Sequence, residues 1–362
     1  MVRRNRVMRI GNYRPGVIGP IQVVQSFNSR VWLGCISTGN EMLAFTGPRE
    51  TSNDRNRTRT RFSAARVAVD SPWEYGPEYT FQVRVNSTAI PEEGSYVSIQ
   101  LNVTAKLVCQ PKGFYALSCH FRDSEANSYV WLDGTPAVPV NQEAYGFNQD
   151  QFEIKFNEQG LESLVVNENI QPRELDMIRV IVDQLNIGVL VGKDGEMFVA
   201  VENFTMGECA TAFTVDRNVI GYPSHKNRGY MLGTMFSVKD GELVQIRKVR
   251  HLHMCTHKVP YFFGSAESFR QVSDVVSTVS SSKNVIMLTS TEFLSGTTNV
   301  ITTNKVSEGM MTTLYENISL MLESILPAKS KPVEVKDPEP ASIFIGRWLM
   351  DKSFEDDSSM EI

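Results

Sequence analysis

The densest group of side chains able to bind a metal ion lies between Val249 and Val259. It contains three of the five histidines and one of the five cysteines: His251, His253, Cys255 and His257. Successive side chains of a β-strand point to opposite faces, so this alternation predicts a strand with all four on one face. Neighbouring imidazoles would lie about 6–7 Å apart, close enough to share an ion, but the whole run would span roughly 20 Å.

Three interpretations of this stretch stay open. We favour a polar strand face, solvated or paired with carboxylates, because no second pair of ligands occurs at a spacing typical of zinc sites. A zinc site would need His251 and His253 together with remote partners such as Cys119 and His120. The imidazoles would also charge together as the pH falls toward about 6, which describes a pH switch. We therefore predict no metal and no cofactor.

Sequence patterns of the common enzyme classes are missing. The stretch from Gly188 to Lys193 resembles a phosphate-binding loop, but it is one residue short and has Asp194 where Ser or Thr must bind magnesium. There is no G-x-S-x-G, H-E-x-x-H, G-x-G-x-x-G or C-x-x-C pattern. We predict that the protein is not an enzyme, and a zinc enzyme built on the histidine stretch is the third alternative for its function.

The charge is distributed unevenly along the chain. The net charge of −5 combines a basic N-terminal region with an acidic remainder. Residues 1–66 contain twelve arginines, no lysine and three acids, and the last twelve residues contain five acids and one lysine. Such asymmetry is typical of proteins that bind nucleic acid.

Arginine without lysine favours phosphate as the ligand, because guanidinium binds phosphate through two parallel hydrogen bonds and also stacks on bases. The alternative is an arm that only solubilises the chain or pairs with its own acids. The predicted nucleic-acid-binding residues are Arg3, Arg4, Arg6, Arg9, Arg55, Arg57, Arg59, Arg61 and Arg66. The predicted partners are RNA or single-stranded DNA and further copies of the chain, without insertion into a membrane.

The hydrophobic pattern predicts an α+β protein that is rich in β-structure. Alternating residues and turn signals predict an antiparallel meander from Tyr79 to Arg122. About three helices are predicted: one that starts at Pro172, one over Ser265–Ser281 and one over Val306–Leu326. The predicted organisation is a basic arm over 1–20, a β-rich domain over 21–150, an α+β domain over 151–326, a flexible linker over 327–341 and an arm with an acidic tail over 342–362.

The C-terminal arm carries a dense apolar patch after a linker rich in proline and charge. Left in water such a patch promotes aggregation, so we expect it to dock in a groove, either on a neighbouring subunit or on its own. The predicted oligomerisation residues are Ile343, Phe344, Ile345, Trp348 and Leu349.

These features predict a non-enzymatic, self-assembling nucleic-acid-binding protein of the viral replication-associated or nucleocapsid type. The alternative is a viral shell or movement-type protein whose basic arm faces nucleic acid. The scattered cysteines suggest reduced thiols, and no secretory leader is apparent, so a cytoplasmic location is expected, in the host cytoplasm if the protein is viral. The glycosylation sequons at Asn86, Asn102, Asn203 and Asn317 would then have no function.

Overall fold

A computed structural model places most of the residues that it describes in antiparallel β-structure. The residues that it describes are 36–38, 41–43, 65–67, 75–91, 97–112, 115–132, 135–140, 146–157, 160–188, 197–219, 230–232, 238, 241–256, 275–305 and 310–345. The predicted α+β class with about three helices is wrong, because these residues contain one α-helix and otherwise mainly strands.

The strands follow one another along the chain with the single helix, α1 (Pro172–Val182), between the ninth and the tenth. They are β1 Ile36–Thr38, β2 Glu41–Leu43, β3 Ala65–Val67, β4 Pro77–Pro91, β5 Val97–Pro111, β6 Ala116–Leu132, β7 Thr135–Val140, β8 Phe152–Asn157, β9 Gly160–Asn167, β10 Met197–Phe204, β11 Gly207–Val219, β12 Tyr230–Leu232, β13 Glu242–Arg250, β14 Val275–Leu288, β15 Phe293–Lys305, β16 Met310–Pro327 and β17 Pro338–Ser342.

One large antiparallel sheet dominates the described part of the chain. Its strand order is β10-β11-β13-β14-β15-β16-β4-β5-β6-β8-β9-β17, and β7 pairs with β6 beside this path. Two short pairs, β1 with β2 and β3 with β12, are separate from it. Because β16 inserts beside β4, the last long strand joins the N-terminal and C-terminal halves of the sheet.

The meander predicted around Tyr79 is present as β4, β5 and β6. Every second side chain of β4 is buried on the inner face, namely Tyr79, Phe81, Val83 and Val85. This period of two is the pattern of a strand with one face on a core. The same core includes residues from Tyr79 to Ile345, so residues on both sides of the predicted boundary near residue 150 pack together.

The described parts of the two other predicted helices are strands. Residues 310–327 form β16 and residues 275–288 form β14. In β16 Leu314, Ile318 and Leu322 lie four residues apart, which fits a helix, but they also lie at even positions of an alternating strand whose odd positions face outward. The apolar pattern alone therefore did not distinguish the two structures.

Helix α1 begins as the sequence predicts, with Pro172 in its first turn and Glu174 close behind. Its residues 175–182 are all buried, so the helix is surrounded by protein on every side rather than along one stripe. A short 3₁₀ turn, Asp183–Leu185, continues it. The helix occupies the interior of a curved sheet.

The two ends of the sheet approach each other around this helix. The side-chain amide of Asn203 in β10 donates to the carbonyl of Leu161 in β9 at 3.4 Å. Just beyond β17, the backbone N–H of Ile345 donates to the carbonyl of Thr205 at 2.8 Å. The sheet therefore wraps around α1 and its edges are joined by these bonds.

Four cysteines form two disulfides, so the expectation of reduced thiols is wrong for them. Cys109 and Cys119 face each other on the neighbouring strands β5 and β6. Cys209 in β11 is joined to Cys255, which follows β13. Sequence spacing gave no sign of either bond, because the partners meet only through the strand pairing.

Removing these disulfides should lower stability. The Cys209–Cys255 bond closes a sequence separation of 46 residues and the Cys109–Cys119 bond one of 10. On the loop-entropy model the double variant C209S/C255S should lose about 4 kcal/mol of unfolding free energy, and C109S/C119S about 3 kcal/mol. Guanidinium unfolding without reductant measures both. An unchanged transition midpoint in both variants, matched by reduced wild-type protein, would contradict the pairing.

Candidate functional site

A group of four buried charged side chains lies where the end of α1 meets the sheet. Glu202 comes from β10, Lys248 and Arg250 from β13, and Asp183 from the 3₁₀ turn that extends the helix. In β13 the inward positions are Val244, Ile246, Lys248 and Arg250, so the strand alternation that buries two aliphatic side chains also buries two cations.

The four groups neutralise one another at short range. Lys248 Nζ lies 2.7 Å from Glu202 Oε2, and Arg250 Nε lies 2.8 Å from Glu202 Oε1. Arg250 also pairs with Asp183 Oδ2 at 3.0 Å, and its guanidinium lies 3.7 Å from the ring centre of Phe204. Two anions and two cations are thus balanced inside the fold, as buried charges require.

Backbone groups complete the cluster. Lys248 Nζ donates to the carbonyl of Asn186 at 2.6 Å, so the ammonium group holds the segment just after the helix. Gly188 follows with a φ of +82°, and a β-carbon there would lie 2.6 Å from Glu202 Oε2. Glycine is therefore required for the backbone to pass this close to the Glu202 carboxylate.

The two carboxylates of the cluster differ in acidity. Burial raises the pKa of Asp183 above its ordinary value, and Arg250 opposes this only in part. Burial would also raise the pKa of Glu202, but the charges of Lys248 and Arg250 together hold it below its ordinary value. Burial lowers the pKa of Lys248. Since all four side chains are enclosed and paired, the cluster is suited to holding the helix in the sheet.

A second polar layer lies beside the charged cluster. Gln184 Oε1 accepts hydrogen bonds from Asn284, Ser295 and Thr297 at 3.3, 3.4 and 3.0 Å. On the helix itself, Arg179 pairs with Asp176 at 2.6 Å and donates through Nε to the carbonyl of Ser342 at 2.7 Å. The helix is therefore tied to β14 and β15 by amide and hydroxyl groups and to β17 by a guanidinium.

The histidine stretch does not form the predicted strand. Strand β13 ends at Arg250, and Leu252–Met254 form a 3₁₀ turn. The rings of His251 and His253 lie 6.0 Å apart, and Cys255 is held in its disulfide. His257 lies outside the described residues. Among the residues the structure describes, no three His, Cys, Asp or Glu side chains are close enough together to hold a metal ion.

Comparison with known proteins identifies the family. The model of the vitellogenin N-terminal domain matches residues 73–325. The chain belongs to this family. A solved structure on lipid–protein interactions in lipovitellin has the same fold, with a TM-score of 0.51 and 11% identity over 76% of this chain. The match covers 28% of the lipovitellin chain, so this protein corresponds to a little over a quarter of its length.

Other comparisons add little to the vitellogenin match. A β-barrel-like protein of unknown function from Brucella abortus gives a TM-score of 0.18 with 5% identity, over 68% of this chain and 97% of that one. No curated protein matches the chain.

Membership of the vitellogenin family corrects the predicted function. The interpretation as a self-assembling viral protein that binds RNA or single-stranded DNA is wrong, and so are the viral and nucleic-acid descriptions that came with it. The arginine-rich composition on which it rested belongs to residues 1–66, and the family match begins at residue 73. Composition alone therefore assigned a partner to a region that the family match does not cover.

The structure describes one of the nine predicted nucleic-acid-binding residues. Arg66 lies in β3, opposite Met231 in β12. The others lie outside the described residues: Arg3, Arg4, Arg6, Arg9, Arg55, Arg57, Arg59 and Arg61.

The predicted oligomerisation residues are described up to Ile345. Ile343 and Ile345 are buried in the core of their own chain, and Phe344 packs against that core, so these side chains dock on the same subunit. Trp348 and Leu349 lie outside the described residues. Of the predicted linker, Ala328 and Val335 are buried and residues 338–342 belong to β17, paired with β9.

The buried cluster was missed at the sequence level, although one signal for it was present. Val244 and Ile246 show which face of β13 points inward, and Lys248 and Arg250 occupy the next two positions on that face. A charged residue on the core face of a strand is rare unless it is paired. Charged residues at inward positions of a strand could have identified Lys248 and Arg250 as members of the cluster. The same signal could not have identified Glu202 or Asp183.

Proposed function

We propose that this protein is a non-enzymatic lipid-binding protein of the vitellogenin type. The match of the vitellogenin N-terminal domain over residues 73–325 carries the proposal, and the fold shared with lipovitellin supports it. The enclosed and fully paired charges of the cluster fit a structural role rather than catalysis. In the part of the chain that the structure describes, no helix is long and apolar enough to cross a membrane.

The interior of the curved sheet is an unsuitable place for lipid. The buried side chains of α1, among them Leu175, Met177, Ile178 and Ile181, occupy the space that an acyl chain would need. Protein interiors are close-packed, so no lipid enters without displacing the helix. We therefore assign lipid contact to the outer surface.

An apolar patch on the outer face of β10, β11 and β13 suits this contact. Val199 and Val201 are 55% and 62% exposed on β10. Val199 lies opposite Ala212, which in turn lies opposite Val249, and Val201 lies opposite Ala210. Ala210 is buried, and Ala212 and Val249 are half-buried. Val199, Val201, Ala212 and Val249 therefore form an aliphatic surface at an edge of the sheet, which we call the valine patch. Exposed apolar patches of this kind mark surfaces that bind lipid or protein.

The compartment is part of the same proposal. The two disulfides favour an oxidising environment, since cytosolic thiols are usually kept reduced. We propose that the protein works in such an environment, outside the reducing cytoplasm. This proposal differs from the cytoplasmic location expected from the sequence, which stays an untested prediction.

Lipid binding is tested with the purified full chain. We expect phospholipid in a solvent extract of the protein, detected by mass spectrometry, and flotation of the protein with phosphatidylcholine vesicles. Val199→Glu combined with Val201→Glu should weaken vesicle binding about tenfold or more, because each buried valine contributes about 1.5 kcal/mol or more.

The control for that variant places two glutamates elsewhere on the sheet. Thr278→Glu combined with Thr298→Glu changes two exposed polar residues and should leave vesicle binding unchanged. Protein that contains no lipid and does not float would contradict the proposed function. Flotation that the valine-patch variant does not weaken would place the lipid contact on another surface.

A further inference from the structure

Three of the glycosylation sequons lie side by side on the outer face of the large sheet. Asn317 in β16 is directly opposite Asn86 in β4, and Asn86 is directly opposite Asn102 in β5. We call these three residues the asparagine row. Each is followed two positions later by a hydroxyl residue, namely Thr88, Thr104 or Ser319. Because side chains of a strand alternate, asparagine and hydroxyl share one face at every site.

Members of the asparagine row are accessible from solvent. Asn86 and Asn317 are exposed and Asn102 is half-buried. Asn317 Oδ1 accepts a hydrogen bond from the Thr298 hydroxyl at 2.9 Å, and this bond leaves Nδ2, the atom that carries a glycan, outside the contact. The folded protein can therefore accommodate a sugar chain that leaves the sheet at this row.

The fourth sequon within the described residues is placed differently. Asn203 lies at the junction of β10 and β9, where its Nδ2 donates to Leu161 at 3.4 Å and its carbonyl accepts from Asn186 Nδ2 at 2.6 Å. A glycan on Asn203 Nδ2 would separate the two strands that close the sheet. The structure thus divides the sequons into permitted and excluded positions.

We propose that the asparagine row is a site of N-linked glycosylation and that Asn203 is never modified. This inference rests on the compartment proposed above, since the two disulfides favour an oxidising environment of the kind in which such transfer occurs. Directly opposite residues of an antiparallel pair have Cα atoms about 4.5–5.5 Å apart, which is too close for two glycans. One molecule therefore carries one glycan on Asn86, or at most two on Asn102 and Asn317.

The reaction is a transfer from an oligosaccharide attached to a lipid diphosphate. Asparagine Nδ2 forms a bond to C1 of the first sugar, and the bond between C1 and the diphosphate oxygen breaks. The lipid diphosphate leaves with the bonding electrons, and one Nδ2 proton passes to a base of the transferase. No oxidant or reductant takes part. The attached glycan would keep this outer face hydrated. Because the valine patch lies on different strands, glycosylation of the row does not depend on lipid binding there.

The test is peptide mapping of the full chain secreted from eukaryotic cells. Peptide-N-glycosidase in heavy-oxygen water converts each glycosylated asparagine into a labelled aspartate, which mass spectrometry locates. We expect label within the asparagine row and none at Asn203. A further sequon, Asn56, lies outside the described residues, and the map distinguishes its peptide from the others.

Two variants complete the experiment. N86Q/N102Q/N317Q should lose the mass that the glycosidase removes from these peptides, whereas the matched control N203Q should retain all of it. Three unlabelled residues in the row of secreted wild-type protein would overturn the proposal. Label at Asn203 would overturn it as well.

Discussion

Replacing Glu202 with Gln should lower the free energy of unfolding by about 3–5 kcal/mol, the usual cost of removing one partner from a buried ion pair. Glu202 accepts from both Lys248 and Arg250, so its loss leaves two buried cations with Asp183 as the remaining anion. The side chain keeps its size, so the effect is one of charge rather than of packing. Guanidinium unfolding at pH 7, followed by circular dichroism, measures the change.

Two further variants serve as controls for Glu202→Gln. Glu208→Gln removes an exposed carboxylate from the neighbouring strand β11 and should change stability by less than about 0.5 kcal/mol. Asp183→Asn should cost less than Glu202→Gln, because burial raises the pKa of Asp183 and so opposes its ionisation in the folded state. A loss below about 1 kcal/mol for Glu202→Gln would show that the charge cluster does not stabilise the fold.

Acidification should change the contributions of Glu202 and Asp183 to folding stability in opposite directions. The folded pKa of Glu202 lies below its ordinary value of 4.5, so its contribution is complete above pH 4.5 and is lost as the pH falls through the lower folded value. The stability gap between wild type and Glu202→Gln should therefore shrink on acidification. The pKa of Asp183 is raised above 3.8, so ionisation costs stability, and the gap between wild type and Asp183→Asn should grow as the pH falls toward 3.8.

Local patterns predicted those elements whose period was unambiguous. Helix α1 was found because Pro172 and Glu174 mark its start, and β4 was found because its apolar residues alternate strictly. Strand β16 was missed because the spacing of Leu314, Ile318 and Leu322 fits the period of a helix and also that of a strand. The pairing with β15 and β4, at distant positions in the sequence, decides in favour of the strand, and no local pattern contains that information.

The candidate site was even less accessible from sequence. Lys248 meets Glu202 across 46 residues and Arg250 meets Asp183 across 67. Such pairs form only when the sheet has wrapped around the helix, so spacing rules that serve for local motifs do not find them. In the histidine stretch a regular local spacing was misleading. It predicted one face of a strand, but the chain turns after Arg250.

Replacing Ile343 and Ile345 together with Ala should lower the free energy of unfolding by about 4–10 kcal/mol, since each buried Ile→Ala change costs about 2–5 kcal/mol. Both side chains lie in the core, next to a backbone whose Ser342 carbonyl accepts from Arg179 and whose Ile345 N–H donates to Thr205. The loss would weaken the segment that joins β9 to β10 around the helix. Thermal and guanidinium unfolding measure it.

A matched control for the Ile343 and Ile345 variant comes from the stretch between β16 and β17. Val333 is 61% exposed, so Val333→Ala should change stability by less than about 0.5 kcal/mol. Because Ile343 and Ile345 dock on their own chain, the double variant should also keep its mass in sedimentation while its unfolding midpoint falls. A lower mass with unchanged stability would mean instead that these side chains contact a second subunit in solution, and the assignment to the core of a single chain would fail.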